Sequence, residues 1–157
     1  MIQSNGWLGN APARAAGVAV VVGALLSMRR THADASVVGP VARLTLRNSN
    51  GQVGCMLFGS AKGFPKDPAA ALQRKWCAIT KAEAVCPFDA VPAGSYAIAC
   101  FHDENGNGKL DTGLFGIPAE GTVASNHAKG FMGPPSFQDA QFSFAGAPLE
   151  LRLRVSY

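Results

Sequence analysis

Residues 149–155 read Leu-Glu-Leu-Arg-Leu-Arg-Val, a strict two-residue alternation that suits a strand with one apolar and one wet face and does not suit a helix. Similar strand signals recur at residues 42–48, 52–58, 76–79, 84–88, 96–102 and 141–144. Asn50-Gly51 has the composition of a type I′ turn and predicts a hairpin in which Leu46 faces Cys55 and Leu44 faces Leu57. Residues 67–75 (Asp-Pro-Ala-Ala-Ala-Leu-Gln-Arg-Lys) offer Asp67 as a cap and Pro68 at the first helical position, which predicts one short helix. The pattern as a whole predicts an all-β fold: an immunoglobulin-like or transthyretin-like antiparallel β-sandwich of about seven strands with one short helix, a barrel being the alternative.

A chain of 157 residues has room for one such domain, and its 48% hydrophobic and 15% charged residues exclude a disordered, solvating segment. Residues 15–28 are an uncharged run of mostly small and apolar side chains, preceded by Arg14 and followed by Ala33-Asp34-Ala35. This is the layout of a secretory signal with its small-residue cleavage site, and the run is shorter than the roughly 20 residues a bilayer-spanning helix needs. Residues 1–35 are therefore expected to be a signal peptide and residues 36–157 a single exported β-sandwich domain, periplasmic or extracellular. Arg29 and Arg30, on the exported side of the run, fit a retained anchor of inverted topology instead. No second long apolar run follows, so no membrane span is expected in the mature chain. The net charge of +4 includes three basic residues and one acidic residue of the leader, and so small an excess gives no reason to expect nucleic acid as a partner.

All four cysteines, Cys55, Cys77, Cys86 and Cys100, lie in the exported part, and an even number there is read as two disulfides. Their spacings contain no C-x-x-C pair, which argues against zinc. If Lys81-Ala82 is a two-residue turn, Cys77 and Cys86 are directly opposite and join. Cys55 with Cys100 follows by elimination, and alternation turns both toward the core.

The stretch between Asp103 and Asp139 has few strand signals and many Gly, Pro and Asn residues, and long loops in compact domains tend to carry function. Its first part, Asp-Glu-Asn-Gly-Asn-Gly-Lys-Leu-Asp, matches the core of an oxygen-ligand calcium loop: side chains of Asp103, Asn105, Asn107 and Asp111, and the main-chain carbonyl of Lys109. Position 12 is Leu114 rather than a bidentate Glu and a strand precedes the loop, so it is no EF-hand; Glu120 or water would complete the shell. The competing reading is an Asn-Gly loop held by side-chain to backbone bonds. His102, Glu120, Ser125, Asn126 and His127 are ligand-binding candidates for the same end of the fold. A nucleophile elbow and an H-x-x-x-H pair are both missing from the sequence, so no catalytic residue is assigned and an enzyme is the less favoured reading. Phe131 to Phe137 reads as cover for the end of the domain.

Several longer runs are family-like: Gly-Gln-Val at 51–53, Leu-Phe-Gly-Ser-Ala-Lys-Gly-Phe-Pro at 57–65, Pro-Ala-Gly-Ser-Tyr-Ala-Ile at 92–98, Phe-His-Asp-Glu-Asn-Gly-Asn-Gly-Lys-Leu-Asp at 101–111, Gly-Ile-Pro-Ala-Glu-Gly at 116–121, Ser-Asn at 125–126 and Gly-Pro-Pro-Ser-Phe-Gln-Asp-Ala at 133–140. Together they resemble the bacterial exported family known as domain of unknown function 2141, over roughly residues 41–155. The resemblance implies a small secreted β-sandwich with no established activity, and it places His102, Asp103, Asn105, Asn107, Asp111, Glu120, Ser125 and Asn126 among characteristic positions; the cysteines are not part of the pattern. The favoured expectation is a non-enzymatic domain whose loop binds calcium weakly and either rigidifies the domain or presents residues 116–137 to an unknown protein or small ligand. The alternatives are a periplasmic enzyme using a His102, Asp103 and Glu120 cleft, and a transthyretin-like carrier of a small ligand. Mass spectrometry of the protein purified from its native host is expected to find the mature chain beginning at Ser36, whereas intact Arg29 in a membrane fraction would establish the anchor.

Overall fold

The computed structural model describes residues 38–157, and the expected leader with its cleavage site lies outside them. The described residues form eight strands: β1 (Val41–Thr45), β2 (Gln52–Phe58), β3 (Gln73–Thr80), β4 (Glu83–Pro87), β5 (Gly94–Asp103), β6 (Thr122–Ala124), β7 (Phe142–Phe144) and β8 (Glu150–Arg154), with one helical turn, α1 (Phe137–Ala140). Seven of them follow one hydrogen-bonded path, β6-β5-β2-β3-β4-β1-β8, and β7 pairs with the start of β5. An isolated bridge between Thr122 and Ser156 ties the first strand of that path to the chain just beyond its last, with N–H···O contacts of 2.8 and 3.0 Å. The fold is thus mostly β and nearly barrel-like, close to the alternative that the sequence leaves open.

The corner of this path is the β3–β4 hairpin. Lys81 (φ 52°) and Ala82 (φ 57°) both take the left-handed conformation of a type I′ turn, and the pairs Thr80–Glu83 and Ile79–Ala84 follow. Beyond Ile79 the two strands part, β3 pairing with β2 and β4 with β1. Cys77 and Cys86 sit where they part, Cα atoms 5.6 Å apart, and their disulfide joins the two arms. Lower down, Gln73 exchanges two hydrogen bonds with the Asp89 backbone and Lys75 Nζ lies 2.7 Å from the Asp89 carboxylate. The other bond joins Cys55 to Cys100, which are register partners on β2 and β5. Both disulfides are those expected from the sequence.

Inward-facing residues of both arms make one core, with Leu44, Val53, Cys55, Leu57, Ile98, Cys86 and Phe144 nearly or fully buried. A smaller cluster lies on the other side of β5 and β6, where Ala97, Ala124 and Ala140 pack with Phe64 and Phe137. Phe58 is fully buried, edge-on to Phe64, which is in turn edge-on to Phe137. The central strand β5 is thereby covered on both faces over part of its length, while β8 keeps Glu150, Arg152 and Arg154 exposed as its alternation requires.

Four sequence expectations are corrected. β1 and β2 do not form a hairpin: β1 pairs with β4 and β8, and β2 with β3 and β5. Leu44, Leu46, Cys55 and Leu57 are all buried as expected, but they reach the core from different arms, because alternation fixes the face of a strand and not its neighbour. Residues 67–75 are not a helix. One capped turn forms, with Asp67 Oδ1 accepting from Ala69 N at 2.9 Å, and then Leu72 N donates to Leu57 O and the chain joins the sheet. A segment this short is marginal as a helix, and the open edge of β2 offers a full ladder of bonds. The helical turn lies instead at α1, capped by Ser136, whose side chain accepts from Asp139 N. The pairing is not wholly antiparallel, since β1 and β8 run parallel. β6 is an additional strand inside the stretch expected to be loop.

The two disulfides close chain segments of very different length, 45 and 9 residues. On loop-closure entropy alone, replacing both Cys55 and Cys100 by Ala is expected to cost about 4 kcal/mol, and replacing Cys77 and Cys86 about 2.5 kcal/mol. Urea unfolding of the two double variants checks the order.

Candidate functional site

β5 ends at the buried pair His102–Asp103, and the chain then leaves the sheet in the Asn-Gly loop. The Asp103 carboxylate turns under that loop rather than out of it. Its Oδ1 accepts from Asn107 N at 3.0 Å, and its Oδ2 accepts from Gly108 N at 2.8 Å and Gln52 Nε2 at 2.9 Å. Burial pushes the Asp103 carboxyl up, but the Gln52 amide and the backbone N–H groups of Gly108, Asn107 and Gly106 outweigh burial and hold it below the ordinary carboxylate range. Three consecutive main-chain donors around one anion form a nest that the protein fills with its own side chain.

Asn105, Asn107 and Asp111 converge on the outer side of the loop. Asn105 Nδ2 is 2.6 Å from Asp111 Oδ2, and Asn107 Nδ2 lies 3.0 and 2.9 Å from the two Asp111 oxygens. The amide oxygens are engaged as well: Asn105 Oδ1 accepts from Asn107 N and Asn107 Oδ1 accepts from Lys109 N, each at 3.0 Å. Glu120, buried two residues before β6, closes the loop from its far side, Oε1 accepting from Glu104 N (2.9 Å) and Oε2 from Asp111 N (3.0 Å). These bonds are those of an Asn-Gly loop tied by side-chain to backbone contacts. A calcium ion at the expected positions requires the two Asn amides to turn their oxygens toward Asp111 and give up those main-chain donors. Among the described residues, no group of three or more His, Cys, Asp or Glu side chains stands ready to hold a metal.

His102 is fully buried with both ring nitrogens engaged, Nε2 2.7 Å from Asn50 O and Nδ1 2.7 Å from Tyr157 Oη. A carbonyl only accepts, so Nε2 carries the proton and the Tyr157 hydroxyl donates to Nδ1. Tyr157 Oη also accepts from Arg47 N at 3.1 Å, and the Arg47 guanidinium lies 4.2 Å from the center of the Tyr157 ring while pairing with Glu104 at 2.7 Å. Burial pushes the Glu104 carboxyl up, and hydrogen bonds from the Arg47 and Asn48 side chains together with the Arg47 charge bring it below its ordinary range. His102, Asp103, Glu104 and Glu120 thus share one end of the fold, but their polar atoms face one another and the backbone. His102 presents no solvent-facing nitrogen to a substrate.

Ser125, Asn126 and His127 do not join them. Ser125 Oγ bonds Ile98 N and Ala140 O, four residues back along β5 from His102, or roughly 13 Å at the usual strand rise. Asn126 Nδ2 donates to Gln141 O at 2.7 Å, and His127 Nε2 accepts from Arg154 N at 3.1 Å. These three side chains fasten α1 and β8 to the edge of β5. Phe137 does cover the sheet, but Phe131 and Met132 do not, being 95% and 93% exposed.

Beyond Asp111 the chain makes a small hydrogen-bonded projection. Thr112 bridges Pro118, Gly113 N donates to Ile117 O at 2.8 Å and Ala119 N to Asp111 O at 2.8 Å. At its tip Leu114, Phe115 and Ile117 are 82%, 97% and 64% exposed. Phe115 takes a positive φ of 61°, uncommon for a residue other than glycine.

Comparison with protein families matches residues 44–152 to uncharacterized protein conserved in bacteria (DUF2141). The chain belongs to that family. The match runs from β1 into β8 and takes in the Asn-Gly loop, the apolar tip, Glu120 and the Ser125–His127 turn. No curated protein and no solved structure matched the chain. Membership in DUF2141 accounts for the shared loops without assigning them an activity.

Sequence reasoning did not find Gln52, Arg47, Asn48 or Tyr157. Nothing in the local pattern at these positions marks a site, because each is brought there by pairing between distant segments. The apolar tip was legible as Leu-Phe-Gly-Ile but had no marker separating it from core. Asp103→Asn is expected to lose about 1–3 kcal/mol at neutral pH, since an amide nitrogen then faces main-chain donors. An Asp held low when folded stabilizes the protein above its unfolded value of about 4 and loses that contribution as pH falls through the folded value. Urea titrations between neutral pH and about pH 3 should therefore show a steeper acid loss for the wild type than for the variant.

Proposed function

We propose that this DUF2141 domain is an exported, non-enzymatic binding module, acting in the periplasm or outside the cell, that holds the Leu114–Ile117 tip out to a partner with an apolar groove. The observation that carries the reading is three adjacent large apolar side chains, 64–97% exposed, on a projection whose own backbone is hydrogen-bonded. Contiguous exposed apolar surface on a small protein is costly in solution and characteristic of an interaction site. Asp103 and Glu120 support the reading from below, since they tie both ends of the preceding loop to the sheet and limit the tip's freedom to fold back. Within the all-β class, the fold type we infer is a β-sandwich of immunoglobulin-like or transthyretin-like kind, joined at the β3–β4 corner and at the Thr122–Ser156 bridge.

Weak calcium binding belongs to the same proposal. The meeting of Asn105, Asn107 and Asp111 supports it, and Lys109 would add its carbonyl and Glu120 or water the remaining oxygen. With only two loop carboxylates and main-chain donors to displace, the dissociation constant is expected at roughly 10⁻⁴ to 10⁻³ M. A tenfold excess then stabilizes the domain by about 1.4 kcal/mol. Thermal melts in millimolar calcium and in chelator test this part, and coincident melts for wild type and Asp111→Ala would remove calcium from the reading. The tip itself is tested by placing a photoreactive phenylalanine analogue at position 115, and at Lys66 as an exposed control, in cells that export the protein. A discrete adduct that forms from position 115, and disappears when Leu114 and Ile117 are changed to Ser, is the expected result. Identical products from both positions would overturn it.

A further inference from the structure

The chain contains four Asn-Gly pairs; Asn5-Gly6 lies outside the described residues, and the fold gathers the other three, Asn50-Gly51, Asn105-Gly106 and Asn107-Gly108, around Asp103. Asn-Gly is the sequence at which an asparagine can be attacked by the backbone nitrogen of the next residue, because glycine has no side chain to shield that nitrogen. The attack forms a bond from the glycine nitrogen to the asparagine Cγ and expels ammonia, leaving a five-membered imide. Water then opens either imide carbonyl, giving aspartate or an isoaspartate whose chain runs through the former side chain. The reaction needs a side chain free to swing onto the next nitrogen and a nitrogen free to lose its proton.

The three sites differ in both respects. Asn107 has its Oδ1 on Lys109 N and its Nδ2 on Asp111, while the attacking nitrogen, Gly108 N, donates to Asp103 Oδ2 at 2.8 Å. Asn105 is held in the same manner, Oδ1 on Asn107 N and Nδ2 on Asp111, with the Gly106 N–H directed at the Asp103 carboxylate. A carboxylate accepting those N–H groups opposes their deprotonation, and the amide must break its bonds before it can turn. Asn50 has none of this protection. It is exposed, its side chain makes no hydrogen bond among the described residues, and neither does Gly51 N. Its backbone is fixed, N on Asn48 Oδ1 at 2.9 Å and O on His102 Nε2 at 2.7 Å, so only the side chain is left to move. Gly51 cannot be exchanged for a residue that shields its nitrogen, because it has a φ of +65° and a Cβ there would overlap the Asp103 carbonyl oxygen.

We infer that Asn50 is a site of spontaneous deamidation in the folded protein, and that Asp103 protects Asn105 and Asn107 from the same reaction. The modification falls on a structural joint. In the isoaspartate product the oxygen that accepted from His102 Nε2 becomes part of a free carboxylate, and the backbone between Asn48 and Gly51 is one carbon longer. His102 is in turn the partner of Tyr157 Oη, so the change lies next to the contact that fastens the end of the described chain.

The test is to age the folded, disulfide-intact protein at mildly alkaline pH and follow each Asn-Gly peptide by mass, with fragmentation that separates isoaspartate from aspartate. The reduced chain in denaturant serves as the reference in which the pairs at 50, 105 and 107 are all unprotected. The expected result is a gain of about 1 Da at the Asn50 peptide of the folded protein. Asn105 and Asn107 should convert at least about tenfold more slowly than in the denatured chain, as the bonds that must break first require. Asn50→Gln should abolish the early conversion at this peptide and leave Asn105 and Asn107 unchanged. Conversion of Asn105 or Asn107 as fast as Asn50 in the folded protein would overturn the inference. So would an Asn50 that stays intact when folded while reacting in denaturant.

Discussion

The register of β2 against β5 decides where nearly everything else lies. Pairing Cys55 with Cys100 sets the disulfide, and the same register puts Leu57 beside Ile98, Val53 beside His102 and Gln52 beside Asp103. Cys55, Leu57, Ile98, Cys100 and Val53 then share the buried face. A slip by one residue would send these side chains to the opposite face and part the cysteines. It would also take Gln52 from Asp103 and the Asn50 carbonyl from His102. The polar end of the molecule is therefore a consequence of the same ladder that builds the core.

Around that ladder the sheet bends at one corner. β3 pairs with β2 for most of its length and with β4 only beside the Lys81-Ala82 turn, so the two arms diverge and enclose the core between them. The Cys77–Cys86 bond and the Gln73–Asp89 and Lys75–Asp89 contacts hold the diverging strands, and the Thr122–Ser156 bridge closes the opposite side. A core this small gains from such closure, because cross-links and bridges lower the entropy of the open chain where buried area is limited.

The loop end has the character of a fully occupied polar network. Asp103, Glu120 and His102 are buried at this end and each has hydrogen-bond partners, as has Ser125, the other buried polar residue among those described, farther back along β5. Buried polar groups satisfied in this way make geometry unique more than they drive folding. Their effect is to give a glycine-rich stretch a single shape, which explains how residues with little intrinsic preference hold the Leu114–Ile117 projection. Family membership fits this division, since the matched region includes both the network and the projection.

Short-range chemistry in the sequence determined the all-β class, the alternating faces of β8, the Lys81-Ala82 turn and, through that turn, the Cys77–Cys86 pair. Each depends on residues a few positions apart, whose spacing and conformational preferences act before any tertiary contact forms. Asn50-Gly51 shows where such reasoning stops: its composition signals a turn, but Gly51 is needed for close approach to Asp103, and the strands it joins separate to different arms. Residues 67–75 show the same limit, because a weak helical preference yields when Leu72 N finds Leu57 O at the edge of β2. Strand partners, the parallel β1–β8 pair, and the meeting of Arg47, Gln52, His102 and Tyr157 were decided only by the tertiary structure. The polar contacts join residues 51 to 110 positions apart, and the stability of these long-range pairings comes from burial and bonding shared among strands, a property that no local pattern encodes.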